Sequence, residues 1–250
     1  MIEIKNVYKM FIKNTGKNTK TFYANQNISI NVKEKTIYGI LGQNGAGKTT
    51  LLRMIAGIME PTKGNVLIDG KSYKKNAEEI KKNIAFLSGN TKLYENITPK
   101  EIMQVFGSIY GIPKDKLDER ISEVVKLLNM EDFQDNRIGN LSTGQFQRTN
   151  IARCFIHDPK YYIFDEATTG LDVMSSQIII DFIKKERERG KTIIYSTHYM
   201  EEAENICDKV VFINHGEIIL EDTPKNIMKQ TKTSNLRDAF FSVIGGYDEN

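Results

Sequence analysis

The chain has no tryptophan, five prolines and two cysteines in 250 residues, and neither sign of charge dominates it. Each shortage excludes something. Two cysteines cannot staple a disulfide-dense secreted fold, and Cys154 and Cys207 each lie inside an apolar segment. They read as small buried hydrophobes, not as a disulfide or a metal pair. A net charge of +3 is too mild to argue for nucleic acid, and none is expected as a partner. No apolar run approaches the roughly 20 residues needed to cross a bilayer. The N-terminus, Met1-Ile2-Glu3-Ile4-Lys5, alternates like a strand and lacks a signal peptide's apolar core, so a cytoplasmic setting is expected. There is no internal repeat and no low-complexity linker. The length suits one large α/β domain or a domain with a sizeable insert.

What is present is organised around Gly42-Gln43-Asn44-Gly45-Ala46-Gly47-Lys48-Thr49, the phosphate-loop pattern G-x-x-x-x-G-K-T. Glycines let the backbone curl so that successive N–H groups point inward at phosphate oxygens. The next helix offers its unpaired N-terminal donors and positive dipole end to the same anion, with Thr50 in its first turn. Lys48 adds a point charge for the β- and γ-phosphates, and Thr49 offers a hydroxyl to a Mg²⁺ ion. Both flanks fit: Ile37–Leu41 reads as the strand before the loop and Thr49–Ala56 as the helix after it. The chain is expected to bind a nucleoside triphosphate with Mg²⁺.

Around this loop the spacing predicts strands at Ile2–Ile4, Asn27–Val32, Asn65–Ile68 before an Asp69-Gly70 hairpin turn, and Ile84–Leu87. A polar Asn- and Lys-rich stretch, Lys13 to Lys20, reads as a solvated hairpin end with Gly16 at its tip. Thr98-Pro99-Lys100-Glu101 is a capping box with proline at the first helical position. Leu117, Ile121, Val124, Val125 and Leu128 mark one face of the next helix. Strands return at Tyr161–Phe164, Thr192–Tyr195, Lys209–Ile213 and Glu217–Leu220, with helices over Ser176–Arg189, Met200–Ile206 and Leu236–Ile244.

Three further segments carry chemistry. Asp165-Glu166 closes a buried strand, and open α/β sheets gather ligands at strand carboxyl ends. Asp165 would help hold Mg²⁺, and Glu166 would orient and polarise the attacking water; the local alternative is two acids that merely open a loop. His198 comes after the strand Thr192–Tyr195, where it could sense a γ-phosphate or serve only the fold. Leu141-Ser142-Thr143-Gly144-Gln145 fits a capping box through Ser142 and Gln145. It is also a helix N-terminus able to take an anion, and local physics leaves both open.

The phosphate loop, LSTGQ at Leu141–Gln145, YYIFDE at Tyr161–Glu166, TGLD at Thr169–Asp172 and STH at Ser196–His198 occur in an order and spacing that resemble ABC transporter ATPase subunits. The resemblance covers nearly the whole chain. It implies the ABC ATPase fold: a phosphate-loop NTPase core with an antiparallel β subdomain and an inserted helical subdomain. The expected division is 1–87 and 161–230 as core, 88–160 as helical subdomain with the signature, and 231–250 as tail. It implies two subunits, expected to be identical, closing head to tail around two ATPs at the cytoplasmic face of a membrane and driving a separate permease. Ser142, Gly144 and Gln145 would contact the γ-phosphate held by the partner subunit. Lys48, Glu166 and His198 would be catalytic, and Asp172 would lie at the subunit seam. An aromatic would stack on adenine: Phe11 matches best, with Tyr23 second.

One departure from the family pattern is Gly89, where a glutamine that touches Mg²⁺ and the coupling surface is usual; either Asn90 or water would substitute, or coupling differs in detail. Another is Ala167, where proline often comes after the glutamate. The segments Phe86–Tyr94, Asn150–Arg153, His157–Pro159 and Ile193–His198 further resemble the Nat-type sodium-extruding subunits, which implies export. The rival readings are a soluble ABC ATPase acting on nucleic acid or ribosomes, which would want coiled-coil or zinc inserts or tandem cassettes, and a phosphate-loop kinase or GTPase, for which LSTGQ has no use and a guanine-reading N-K-x-D is missing.

Overall fold

Apolar residues at alternate positions draw the first strands into an antiparallel pair. In the computed structural model, which describes residues 1–15, 18–89 and 91–245, β1 (Ile2–Thr15) pairs with β2 (Asn18–Val32) from Ile2 opposite Val32 to Thr15 opposite Asn18. The arm is longer than the short strands expected. Its polar outer half stays in the ladder, where Phe11 opposes Phe22 and their rings stack at 5.6 Å. The expected turn tip at Gly16 lies outside the described residues. β4 (Lys63–Ile68) pairs with the other edge of β1, and β5 (Lys71–Ser72) completes the order β2-β1-β4-β5. Asp69 and Gly70 join β4 to β5 with φ of 50° and 74°, the left-handed pair that an Asp-Gly hairpin turn requires.

The second sheet holds β3 (Ile37–Leu41), β6 (Ile84–Leu87), β7 (Tyr161–Asp165), β8 (Thr192–Thr197), β9 (Lys209–Asn214) and β10 (Glu217–Asp222). Their order is β10-β9-β3-β8-β7-β6, parallel except for β10. Both faces are covered, which is why the strands read as unbroken apolar runs. Tyr38 and Ile40 of β3 and Tyr161 and Ile163 of β7 pack toward the antiparallel sheet and α1 (Lys48–Ile55). Their alternates, Ile37, Leu41, Tyr162 and Phe164, pack on the opposite side. There the Phe155 ring lies 4.3 Å from Tyr162, 5.1 Å from Phe164 and 5.5 Å from Phe182, joining α5 (Thr143–Phe155), β7 and α6 (Val173–Glu188). Cys154 and Cys207 are buried and unbridged, as expected.

Between β6 and β7 run α3 (Pro99–Ile109), α4 (Lys114–Leu127) and α5. The capping boxes at Thr98 and Ser142 both form: the Glu101 N–H donates to Thr98 Oγ1 at 3.1 Å and the Gln145 N–H to Ser142 Oγ at 3.3 Å. Replacing Thr98 by alanine is expected to destabilise the fold by about 1 kcal/mol. A urea midpoint unchanged within error would show that α3 does not depend on its cap.

The remaining helices are α2 (Tyr73–Lys82), α7 (Met200–Ile206), α8 (Pro224–Thr231) and α9 (Leu236–Ile244). α2 and α8 were not anticipated. α2 buries only Ile80, and α8 buries only Pro224 and Ile227, too little apolar periodicity to announce a helix. α6 starts three residues before the expected Ser176 because the Asp172 carboxylate accepts from the Ser175 N–H at 2.9 Å and caps it. Among the described residues, no helix is long and apolar enough to cross a membrane.

Candidate nucleotide-binding site

The parallel strands end on one side of the sheet, so the residues that succeed them in the chain are gathered there: the phosphate loop after Leu41, Ser88 and Gly89 after Leu87, Glu166 after Asp165, and His198 after Thr197. The cleft at this edge has a volume of about 880 Å³. Its lining brings together Phe11, Phe22 and Tyr23 of the antiparallel arm, Asn44, Gly45, Gly47, Lys48, Thr49 and Thr50 of the phosphate loop and α1, and Ser88, Gly89, Asp165 and Glu166 from the ends of β6 and β7. A lining that joins aromatic side chains to the phosphate loop suits a nucleotide, which has a ring to stack and phosphates to hold.

Glycine is required in the loop at Gly47. Its φ is 103°, and a Cβ there would stand 2.3 Å from the Ala24 carbonyl oxygen. α1 begins at the next residue. Lys48, 4% exposed, donates to the Gly42 carbonyl at 2.8 Å and to the Gln43 carbonyl at 3.1 Å, and lies 3.4 Å from Glu166 Oε1. Its ammonium thus braces the loop from inside and faces the carboxylate at the same time.

Asp165 Oδ1 accepts from Ser196 Oγ at 2.9 Å and from Thr49 Oγ1 at 3.2 Å. β7 and β8 are neighbours with Asp165 opposite Ser196, so sheet register sets the first contact and α1 brings the second. Burial pushes the Asp165 carboxyl above its usual range, against the pull of both hydroxyls. Glu166 takes a left-handed φ of 54°, rare for a residue with a side chain. Its N–H donates to the Ser196 carbonyl at 3.1 Å and its carbonyl accepts from the Thr169 N–H at 3.3 Å, which together hold the turn. The turn aims Oε1 between Lys48 and His198 Nδ1, the latter at 3.6 Å. His198 Nδ1 is buried without a hydrogen-bond partner among the described residues, and its ring lies 4.2 Å from that of Tyr199.

Thr49 and Asp165 are hard oxygen donors side by side. Among the described residues no group of three or more His, Cys, Asp or Glu could hold a metal unaided. That donor set fits Mg²⁺, which takes one or two protein ligands and completes its shell with phosphate and water.

The site residues expected from the sequence do not all meet. Ala46 is buried beneath the loop, and Gly42 and Gln43 line a second, smaller cavity with His198. Ser142, Gly144 and Gln145 lie outside the cleft lining, although Thr143, Phe146 and Gln147 contribute to it. Gly144 has a packing reason of its own, since a Cβ there would stand 2.1 Å from Ser175 Oγ. Gly89 is in place, and a Cβ added to it would meet only the Asp165 carbonyl at 3.5 Å, an ordinary contact. The backbone therefore does not demand glycine where the family pattern has glutamine. Asn90 lies outside the described residues.

Sequence reasoning missed His215 and Gly216, which line the cleft from the β9–β10 turn. The Gly216 N–H donates to the Ala46 carbonyl at 3.0 Å and its carbonyl accepts from the Gln26 N–H at 2.8 Å. Arg53 and Phe22 were missed as well. Phe22, directly opposite Phe11, was predictable once the hairpin register was known.

The ABC transporter family model matches residues 25–169. The ABC transporter ATP-binding protein NatA of Bacillus subtilis is 40% identical over 226 residues, 90% of this chain and 92% of that protein. The Nod factor export ATP-binding protein I of a Rhizobium species is 34% identical over 81% of this chain and 67% of its own length. The methionine import ATP-binding protein MetN of Vibrio vulnificus is 32% identical over 98% of this chain and 71% of its own length. Among solved structures, the dimeric ATP-binding cassette MJ0796 in a post-hydrolysis state with ADP and Pi superposes with a TM-score of 0.79 at 28% identity, over 89% of this chain and 98% of that one.

Proposed function

This chain belongs to the ABC transporter family of ATP-binding, ATP-hydrolysing subunits, and from that premise we propose that it forms a homodimer around ATP and drives a separate membrane permease from the cytoplasmic face. The observation that carries this reading is the split in the site. Lys48, Asp165, Glu166 and the aromatic side chains share one cleft, whereas Ser142 is exposed and lies outside its lining, at whose border Thr143 stands. A capped helix N-terminus whose serine is exposed beside the cleft suits a phosphate supplied by a second subunit.

In this assignment Phe11, with Phe22 and Tyr23, stacks on adenine. The N–H groups of Gly42–Thr50 and the Lys48 ammonium take the phosphates, and Ser142, Gly144 and Gln145 of the partner subunit close on the γ-phosphate. Thr49 and Asp165 would hold Mg²⁺, which when bound neutralises phosphate charge. Glu166 Oε1 polarises and orients water for in-line attack, and His198 detects the γ-phosphate. ATP favours the closed dimer because it touches both subunits only there, and hydrolysis removes that differential contact. Residues 1–87 and 161–230 would act as the nucleotide core, 88–160 as the helical arm, and 231–250 as a tail.

The relatives' names point to both export and import. We infer export, with sodium ion as cargo, on the Nat-type segments Phe86–Tyr94 and Asn150–Arg153 and on a match to NatA that spans 92% of that protein. The test is affinity capture of the tagged Glu166→Gln chain from detergent-solubilised native membranes with ATP and Mg²⁺. A co-purifying polytopic membrane protein is expected, and vesicles holding it with the parent chain should move sodium outward when ATP is supplied. Recovery of ribosomes or DNA-repair factors instead would leave an ATP-driven dimer with a different load.

A further inference from the structure

We propose that the cavity between α7 and α9 is the seat for the partner subunit's Val173 and Met174, which makes the C-terminal helix part of the ATP-dependent dimer. This rests on the head-to-tail closure proposed above.

The cavity has a volume of about 350 Å³. Tyr199 and Met200 at the start of α7 and Phe240 and Phe241 of α9 give it apolar walls, with Gln43 and His198 from the nucleotide site and one charge of each sign, Arg237 and Glu201, in the lining. Phe240 is buried, but Phe241 is 53% exposed. Elsewhere on the same chain, Val173 and Met174 in the first turn of α6 are 83% and 74% exposed. Two adjacent apolar side chains in open solvent and an aromatic-walled cavity form a complementary pair that one copy cannot satisfy internally. Methionine suits such a cavity, being unbranched and favourable against ring edges.

Their relative placement is set by two contacts. Gly144 of the signature packs so closely on Ser175 that a Cβ would stand 2.1 Å from its hydroxyl, and the Ser175 Oγ donates to Asp172 at 2.7 Å. The starts of α5 and α6 therefore travel as one body. Of the residues that line the cavity, Gly42 and Gln43 belong to the phosphate loop and His198 is the residue assigned above to detecting the γ-phosphate. When the signature of one subunit reaches the phosphate over that loop, the α6 start packed on it arrives beside the cavity of the other. Of the two charged side chains in the lining, Arg237 is the one that the Asp172 carboxylate at the same helix end would pair with, and Glu201 leaves the cavity itself without net charge.

The test uses the full chain in the Glu166→Gln background with Met174→Cys and Phe241→Cys. The native Cys154 and Cys207 are each 8% exposed and leave the new pair as the reactive thiols. Mild oxidation is expected to give a covalent dimer with ATP, none without it, and none from either single variant. A chain that light scattering shows to be dimeric with ATP yet forms no covalent dimer overturns this seat and leaves the sandwich standing. A chain that stays monomeric with ATP overturns the sandwich itself. As a second readout, Phe241→Asp is expected to weaken ATP-dependent dimerisation at least about tenfold with monomer nucleotide affinity unchanged; equal dimerisation would overturn the seat.

Discussion

The Glu166→Gln chain is expected to hydrolyse ATP about 10²- to 10³-fold more slowly than the parent while binding ATP at least as tightly. The carboxylate is held by its backbone: a left-handed φ of 54°, an N–H on the Ser196 carbonyl and a carbonyl on the Thr169 N–H place it irrespective of its charge. Glutamine keeps that shape and loses the basic oxygen, so water is still admitted but no longer polarised. Binding moves the other way. Oε1 lies 3.4 Å from Lys48 Nζ, where it competes with phosphate for the ammonium. Removing its charge frees the cation for the nucleotide and lets an ATP-closed dimer accumulate. Phosphate release under single-turnover conditions, with light scattering on the same sample, separates the two effects. Hydrolysis within about threefold of the parent would remove Glu166 from the catalytic role.

The parts of this site that were legible in the sequence are those where chemistry constrains several neighbouring residues at once. A loop that must wrap phosphate needs glycine where φ is positive, as at Gly45 and Gly47 with 84° and 103°, and a lysine and hydroxyl at fixed offsets. The caps at Thr98 and Ser142 were equally readable, because a capping box spans only four residues. α8 carried the same kind of signal, Thr223 with Pro224 at the first position, but without the apolar stripe that would have drawn attention to it. Asp172 was assigned to the subunit seam and its capping of α6 went unseen; one side chain serves the helix whatever it does in a dimer. His215 shows the limit most clearly. Nothing in Asn214-His215-Gly216 distinguishes it from any hairpin turn. It reaches the cleft only because β9 lies beside β3, the strand that feeds the phosphate loop, so the turn after β9 meets Ala46. Strand order is a tertiary fact, and no local window contains it.

Lys48→Met should lower ATP affinity about 10²-fold, the largest loss expected from a single side chain in the binding cleft. The side chain is 4% exposed, and its ammonium is held by the Gly42 and Gln43 carbonyls and faced by Glu166. A charge-assisted hydrogen bond to phosphate in such a site contributes roughly 3 kcal/mol, which corresponds to about two decades of dissociation constant. Methionine fills a similar volume and separates loss of charge from loss of packing. The same change leaves Glu166 facing the polyphosphate without its cation, so like-charge repulsion adds to the deficit. The nucleotide-free fold responds differently. The loop loses its internal brace at Gly42 and Gln43, but a buried charge no longer has to be desolvated, and the two terms oppose each other. The prediction is therefore a melting temperature near the parent's without ligand and a collapsed ATP-dependent rise. In the parent, ATP at 100 times its dissociation constant should add about 2.7 kcal/mol of stability; in the variant a hundredfold weaker site at the same concentration leaves only about 0.4 kcal/mol. Thermal unfolding with and without ATP measures both quantities in one experiment. An undiminished ATP-dependent shift would mean that the backbone N–H groups of Gly45–Thr49 hold the phosphates without help from the ammonium.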